Sequence, residues 1–183
     1  MEWMLLPLKR YFEFSGRSRR MEYWMFALFQ VLIYVVLGII GAVIVGGTAG
    51  MMSSGSGDGS AGGMVGMLMS MGIIAIVMGI VWLGLIVPSL AVAVRRLHDT
   101  NRSGFWLFAY IAPYIAGYIL AIAGAASEST ALVMVGGLIT LLGFIGAIVL
   151  LVFMCLPGTV GPNRYGPDPK EGERGVAGAP AAY

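Results

Sequence analysis

From Gly59 to Val94 the chain carries no charged residue, a run of 36 positions. As a helix it would be about 54 Å long at 1.5 Å per residue. About 20 apolar residues already cross a ~30 Å hydrocarbon layer. A run of this length is hard to place in a small water-soluble domain, and it sets the frame for the other apolar stretches. One membrane span is expected over 73–94, with 62–72 as a loose or helical extension outside the bilayer. Pro88 lies near the far end of that span. It lacks a backbone donor, so it should kink the helix and free the carbonyl near Gly84.

Three more runs have spanning length: 24–45, 105–126 and 131–156. Composition leaves little alternative, because 58% of the 183 residues are hydrophobic and only 11% are charged. Soluble domains carry about 25% charged residues. The first run is not expected to be a cleaved signal peptide. Its lead is long and contains Glu2, Glu13 and Glu22, and its core exceeds the roughly 7–15 residues of such a segment. Residues 1–24 place Trp3, Met4, Leu8, Tyr11 and Phe12 about one turn apart, which predicts a short interfacial helix. Pro7 suits its first turn, and Tyr23 and Trp24 suit headgroup depth. Residues 46–63, rich in Gly and Ser, predict a flexible loop containing Asp58. Ser103 is the expected N-cap of the third span, and 127–130 form a turn. Small residues recur at spacings near four at Gly38, Ala42, Gly46 and Gly50, at Gly117, Ala121 and Ala125, and among Gly136, Gly137, Gly143 and Gly146. Such stripes let helices approach closely.

The basic residues fix an expected threading. Lys9, Arg10, Arg17, Arg19 and Arg20 precede the first span; Arg95, Arg96 and Arg102 lie between the second and third; Arg164, Lys170 and Arg174 follow the fourth. The two intervening loops have none. Four spans put all eleven basic residues on one face. Short basic loops stay cytoplasmic, so both termini are expected inside. The expected fold is thus all-α: an integral membrane four-helix bundle with a short N-terminal interfacial helix. Residues 1–169 would form the membrane domain and 170–183 a disordered cytoplasmic tail.

Three polar segments then meet the inner face: 14–24, 95–106 and 157–169. Their residues carry a resemblance. Phe14-x-Gly16-Arg17-x-x-Arg20-x-Glu22-Tyr23-Trp24 is followed by Pro88-Ser89 and by Arg95-Arg96-Leu97-His98-Asp99-Thr100-x-Arg102-Ser103-Gly104-x-Trp106. Gly161-x-Asn163-Arg164-Tyr165-Gly166-x-Asp168-Pro169 completes the set. Together they resemble the domain-of-unknown-function 805 family of small bacterial inner-membrane proteins, over about residues 3–169. The resemblance implies a four-span inner-membrane protein and brings no activity with it.

The candidate cluster is Arg17, Arg20, Glu22, Arg95, Arg96, His98, Asp99, Arg102, Asn163 and Arg164. The favoured reading is structural or regulatory: an ion-pair lattice that locks the inner end of the bundle, with Glu22 and Asp99 paired to arginines of other segments. A second reading makes the surplus arginines a site for anionic lipid headgroups. The expected partners are therefore membrane lipids, with a second copy or another membrane protein along the small-residue stripes, and not nucleic acid. A lipid-modifying enzyme using His98 and Asp99, or a small transporter, is the less favoured alternative. Adjacent helical residues point about 100° apart, and the spans hold no charge at the midplane, where transport sites lie; Thr140 is a lone hydroxyl expected to bond its own helix. No catalytic residue, cofactor or metal is assigned. Met51, Met52, Met64, Met67, Met69 and Met71 would suit Cu(I) chemically, but flexible apolar packing explains them as well. The one cysteine, Cys155, carries no redox inference.

Overall fold

The computed structural model describes residues 2–54 and 59–173, with side chains 51–61 left aside. The side chains of Met51 and Met52, and Asp58 and the tail from Arg174 onward, lie outside the described residues. The described residues are mostly helical: α1 (Glu2–Lys9), α2 (Arg20–Ser54), α3 (Gly59–Asp99), a 3-10 turn (Gly104–Leu107), α4 (Phe108–Ala126) and α5 (Thr130–Cys155). Four segments are long and apolar enough to cross a membrane: Arg20–Gly50, Gly62–Asp99, Gly104–Ala126 and Thr130–Cys155. Among the described residues there is no strand, only an isolated bridge between Asn163 and Gly166.

Several local expectations need correction. The 46–63 stretch is not a loop through its length, because α2 runs to Ser54 and α3 starts at Gly59. No proline interrupts it, and a helix satisfies its own backbone where water is scarce. Pro7 lies inside α1 rather than at its start, and Tyr11 and Phe12 lie beyond that helix. Ser103 occupies the N-cap position with extended dihedrals but makes no side-chain capping bond; its carbonyl instead accepts from Trp106 N at 3.3 Å.

The chain divides into two compact units. The first holds Met1–Tyr11 and Trp24–Ser89. In it the Tyr11 hydroxyl donates to the Gly84 carbonyl at 2.7 Å, the acceptor that Pro88 leaves without its helical donor. Gln30 Nε2 donates to Ser89 Oγ at 2.8 Å, and Ser89 Oγ donates to the Leu85 carbonyl at 2.5 Å. Gly41 lies against Ile74, where an added Cβ would be 3.3 Å from the isoleucine side chain. Contacts 30 to 89 and 41 to 74 give an antiparallel α2–α3 pair.

The second unit holds Phe12–Tyr23 and Leu90–Tyr183. Here α4 and α5 are antiparallel and almost touch backbone to backbone. A Cβ on Gly117 would lie 2.5 Å from Thr140 N, one on Gly136 2.6 Å from Ala121 N, and one on Gly143 2.8 Å from Tyr114 N. Only glycine permits this approach. By contrast Gly38, Gly46 and Gly137 have nothing within 4 Å of an added Cβ. Thr140 donates to the Gly136 carbonyl at 2.9 Å, within its own helix. At the other end of the pair, the last turns of α3 and α5 bury Ala93, Leu97, Leu150 and Met154 with Tyr23, Leu107, Tyr110 and Phe153. That apolar core seats the polar residues described next.

Candidate functional site: a buried arginine–carboxylate cluster

The last turn of α3 buries its charged residues instead of presenting them to solvent. Arg95 and Arg96 are both 0% exposed and Asp99 is 5% exposed. Uncompensated buried charge is strongly unfavourable, so the partners of these groups define the site.

Asp99 is the centre. Its Oδ1 accepts from Arg17 Nε at 3.0 Å and lies 2.9 Å from Arg17 Nη2, a two-pronged contact of the kind guanidinium geometry favours. Its Oδ2 pairs with Arg96 Nη1, one helical turn back. The rest of each guanidinium meets backbone carbonyls of the 154–161 stretch. Arg17 donates to Gly161 O at 2.7 Å and to Thr159 O at 2.5 Å. Arg96 donates to Met154 O at 3.2 Å and to Leu156 O. The last carbonyls of α5 have no helical donor, and Arg96 fills that role while adding a cation at the negative end of the helix dipole. The backbone takes part as well: Thr159 N and Oγ1 both donate to the Asp99 carbonyl, at 2.8 and 3.1 Å. Gly158 lies flat against the Asp99 carboxylate, where a Cβ would collide with it.

A second pairing flanks the first. Arg95 Nη2 is 3.1 Å from Glu22 Oε1, and its Nη1 is 3.9 Å from Glu13 Oε2. Ser18 N donates to the Arg95 carbonyl at 3.2 Å. The 12–23 segment is thus tied to α3 by both charge and backbone.

A third layer covers the end of α3. The His98 ring stacks on Tyr165 with centroids 3.8 Å apart and planes 5° apart, and its Nδ1 is 3.2 Å from the Gly16 carbonyl. Gly16 has φ +85, which turns the chain in a way that disfavours any side chain. Asn163 Nδ2 donates to His98 O and to Thr159 Oγ1, both at 2.9 Å, and its Oδ1 accepts from Tyr165 N at 2.9 Å. Arg164 Nη2 donates to Asn101 O at 3.1 Å. The buried Asp168 closes the 161–170 loop by accepting from Gly161 N at 3.0 Å and Lys170 N at 2.9 Å.

Of the ten candidates, Arg17, Arg96 and Asp99 form one node and Arg95 with Glu22 another. His98 and Asn163 meet through the His98 carbonyl. Three lie at the margin. Arg20 reaches Cys155 O at 3.3 Å, Arg102 sits 4.0 Å over the Phe153 ring, and Arg164 lies 4.7 Å over Tyr165. Sequence reasoning did not single out Thr159, Gly158, Glu13, Ser18 or Tyr165, or Asp168 as a site residue. It also passed over the Gln30–Ser89 pair. The Gly161-x-Asn163 to Asp168 motif was the available signal for the loop.

Chemically the cluster binds its own chain. Asp99 is committed to two arginines and His98 to a carbonyl and an aromatic face, so the two do not form an acid–base dyad. Among the described residues, no three of the His, Cys, Asp and Glu side chains converge in a way that would hold a metal ion. A small cavity of about 60 Å³ is lined by Arg19, Arg20, Asp99, Gly158, Asp168 and Lys170 among others. Its cations share the space with two carboxylates.

Residues 11–167 match the family model described as "Protein of unknown function (DUF805)". This chain belongs to that family. The match contains all ten candidate residues, Arg17 to Arg164. The inner membrane protein YhaI of Escherichia coli (strain K12) is 34% identical over 172 residues, covering 94% of this chain and 98% of the relative. The inner membrane protein YhaH of the same strain is 34% identical over 170 residues, covering 93% and 98%. No solved structure matches the chain.

Proposed function

We propose that this is a structural or interaction protein of the inner membrane, and that its buried cluster locks three chain segments into one polar cap. The observation that carries this is Asp99, which joins Arg17 of the N-terminal segment to Arg96 of α3 while both arginines hold carbonyls of the 154–161 stretch. A catalytic or transport site keeps some of its polar groups available to a substrate. Here Arg17, Arg96 and Asp99 are taken up by one another and by backbone carbonyls. The remaining exposed cations, Arg20 and Arg164, give the cap a basic rim suited to anionic headgroups. All basic residues lie before α2 or at its first residue, at the end of α3 or in the link to α4, and after α5. That asymmetry supports both termini in the cytoplasm.

Hydrogen exchange of the detergent-solubilised protein tests the lock. The amides of Thr159, Gly161, Asn163 and Gly166 are each bonded within the cap. Arg17→Gln should speed their exchange at least tenfold, while Arg20→Gln should leave it near wild type. Equal protection in the Arg17 variant would refute the lock.

A further inference from the structure

We propose that the apolar groove between the inner end of α3 and the start of α4 is a phospholipid site, with one acyl chain in the groove and the phosphate on Arg164. The groove has a volume of about 490 Å³ and is lined by Phe14, Leu90, Val94, Gly104, Leu107, Ile111, Phe105 and Phe108. That volume is in the ~300–1,000 Å³ range of small-molecule sites. Its rim is aromatic and open: Phe14 is 41%, Phe105 78% and Phe108 60% exposed.

The occupant follows from what lies along the groove. Leu90, Val94 and His98 are spaced by four on α3, so they stack on one face, about 6 Å per step. The two apolar residues line the groove, and the third is covered by Tyr165 and bonded to Gly16. Beyond them Arg164 is anchored to the Asn101 carbonyl at 3.1 Å. Asn101 is three residues from the groove residue Gly104, a chain span of at most about 11 Å. A hydrocarbon slot therefore ends, within roughly one headgroup length, at an exposed guanidinium. Among the described residues Arg164 meets one carbonyl and one ring and pairs with no carboxylate. Its other N–H donors remain for phosphate oxygens, which a planar guanidinium binds in a two-pronged manner. An apolar helix of a partner protein would fill the slot but would leave this charge unanswered. A diacyl phospholipid satisfies both ends. The inference rests on the proposed basic rim of the cap facing anionic headgroups.

The test is native mass spectrometry of the full chain, delipidated in detergent and titrated with dioleoylphosphatidylglycerol. One lipid should bind per protein. Val94→Trp, which fills the slot, and Arg164→Gln should each weaken binding at least fivefold at an unchanged melting temperature; Ile111→Trp serves if Val94→Trp does not fold. Lys9→Gln, a basic residue at the end of α1 and outside the cluster, should bind like wild type. Wild-type affinity in Arg164→Gln and the slot-filling variant would overturn the site. Competition by glycerol 3-phosphate equal to that of the lipid would overturn the acyl-chain half. Loss of the lock in the hydrogen-exchange experiment leaves these lipid affinities as an independent readout, so the two ideas fail separately.

Discussion

Replacing Asp99 by alanine is the most direct challenge to the cluster. The carboxylate sits between two guanidinium groups whose side chains are 1% and 0% exposed, and it is itself 6% exposed. Breaking a buried pair by removing one partner costs about 3–5 kcal/mol, because the other charge stays buried without compensation. Here the loss belongs near the lower end. Arg17 keeps the carbonyls of Gly161 and Thr159, and Arg96 keeps those of Met154 and Leu156. Taking about 3 kcal/mol, and about 2–4 °C per kcal/mol for a chain of this size, the melting temperature should fall by roughly 6–12 °C. The assay is thermal unfolding in detergent micelles followed by tryptophan fluorescence. Asp99→Asn keeps the shape against Gly158 and one acceptor, so it should lose less than the alanine variant. A cycle with Arg17→Met should show non-additivity of about 1–3 kcal/mol, as expected for residues in contact. An Asp99→Ala protein melting within about 2 °C of wild type, or strict additivity in the cycle, would falsify the claim that Asp99 holds the cap together.

The other expectations are simpler to check. Gly117→Ala sets a methyl 2.5 Å from the Thr140 nitrogen, so α4 and α5 must part and stability should drop by about 1–3 kcal/mol; Gly137→Ala, with open space around it, should be neutral or gain up to about 1 kcal/mol. Equal melting temperatures for the two variants would count against the close helix approach. Asn163→Ala removes three hydrogen bonds and should cost about 1–3 kcal/mol, seen as faster exchange of the Tyr165 amide; wild-type exchange there would contradict it. For topology, Glu128→Cys in a Cys155→Ser background should react with a membrane-impermeant maleimide in intact cells, whereas Gly172→Cys should react only after permeabilisation. The reverse pattern would invert the orientation.

Much of the architecture was legible in the residues because membrane insertion imposes a coarse rule. A charge-free run long enough to cross hydrocarbon must satisfy its backbone internally, so it reads as a helix. The α4–α5 seam was legible in the same way, through glycines at Gly117, Gly136 and Gly143. The α2 stripe shows the limit of that signal. Gly38 and Gly46 have the same spacing but open space around them, since spacing marks a face that can be approached and says nothing of what approaches it. The 46–63 stretch misled for a related reason: Gly and Ser weaken a helix in water, whereas α2 and α3 continue through most of it.

The cluster divides along the same line. Sequence alone determined that the basic residues gather in three parts of the chain, that Glu22 and Asp99 stand beside them, and that Pro88 strands a carbonyl near Gly84. These follow from local chemistry and from hydrophobic partition, which act on any chain of this pattern. Only the tertiary structure decided the pairings. It gave Asp99 to Arg17 and Arg96, gave Glu22 to Arg95, and brought the Tyr11 hydroxyl to the Gly84 carbonyl. It also enlisted carbonyls of Thr159 and Gly161 that carry no mark in the sequence, because every residue has one. Which of many equivalent charges and carbonyls meet depends on distances set by how α3, α5 and the 12–23 segment pack, and those distances exist only once the chain has folded.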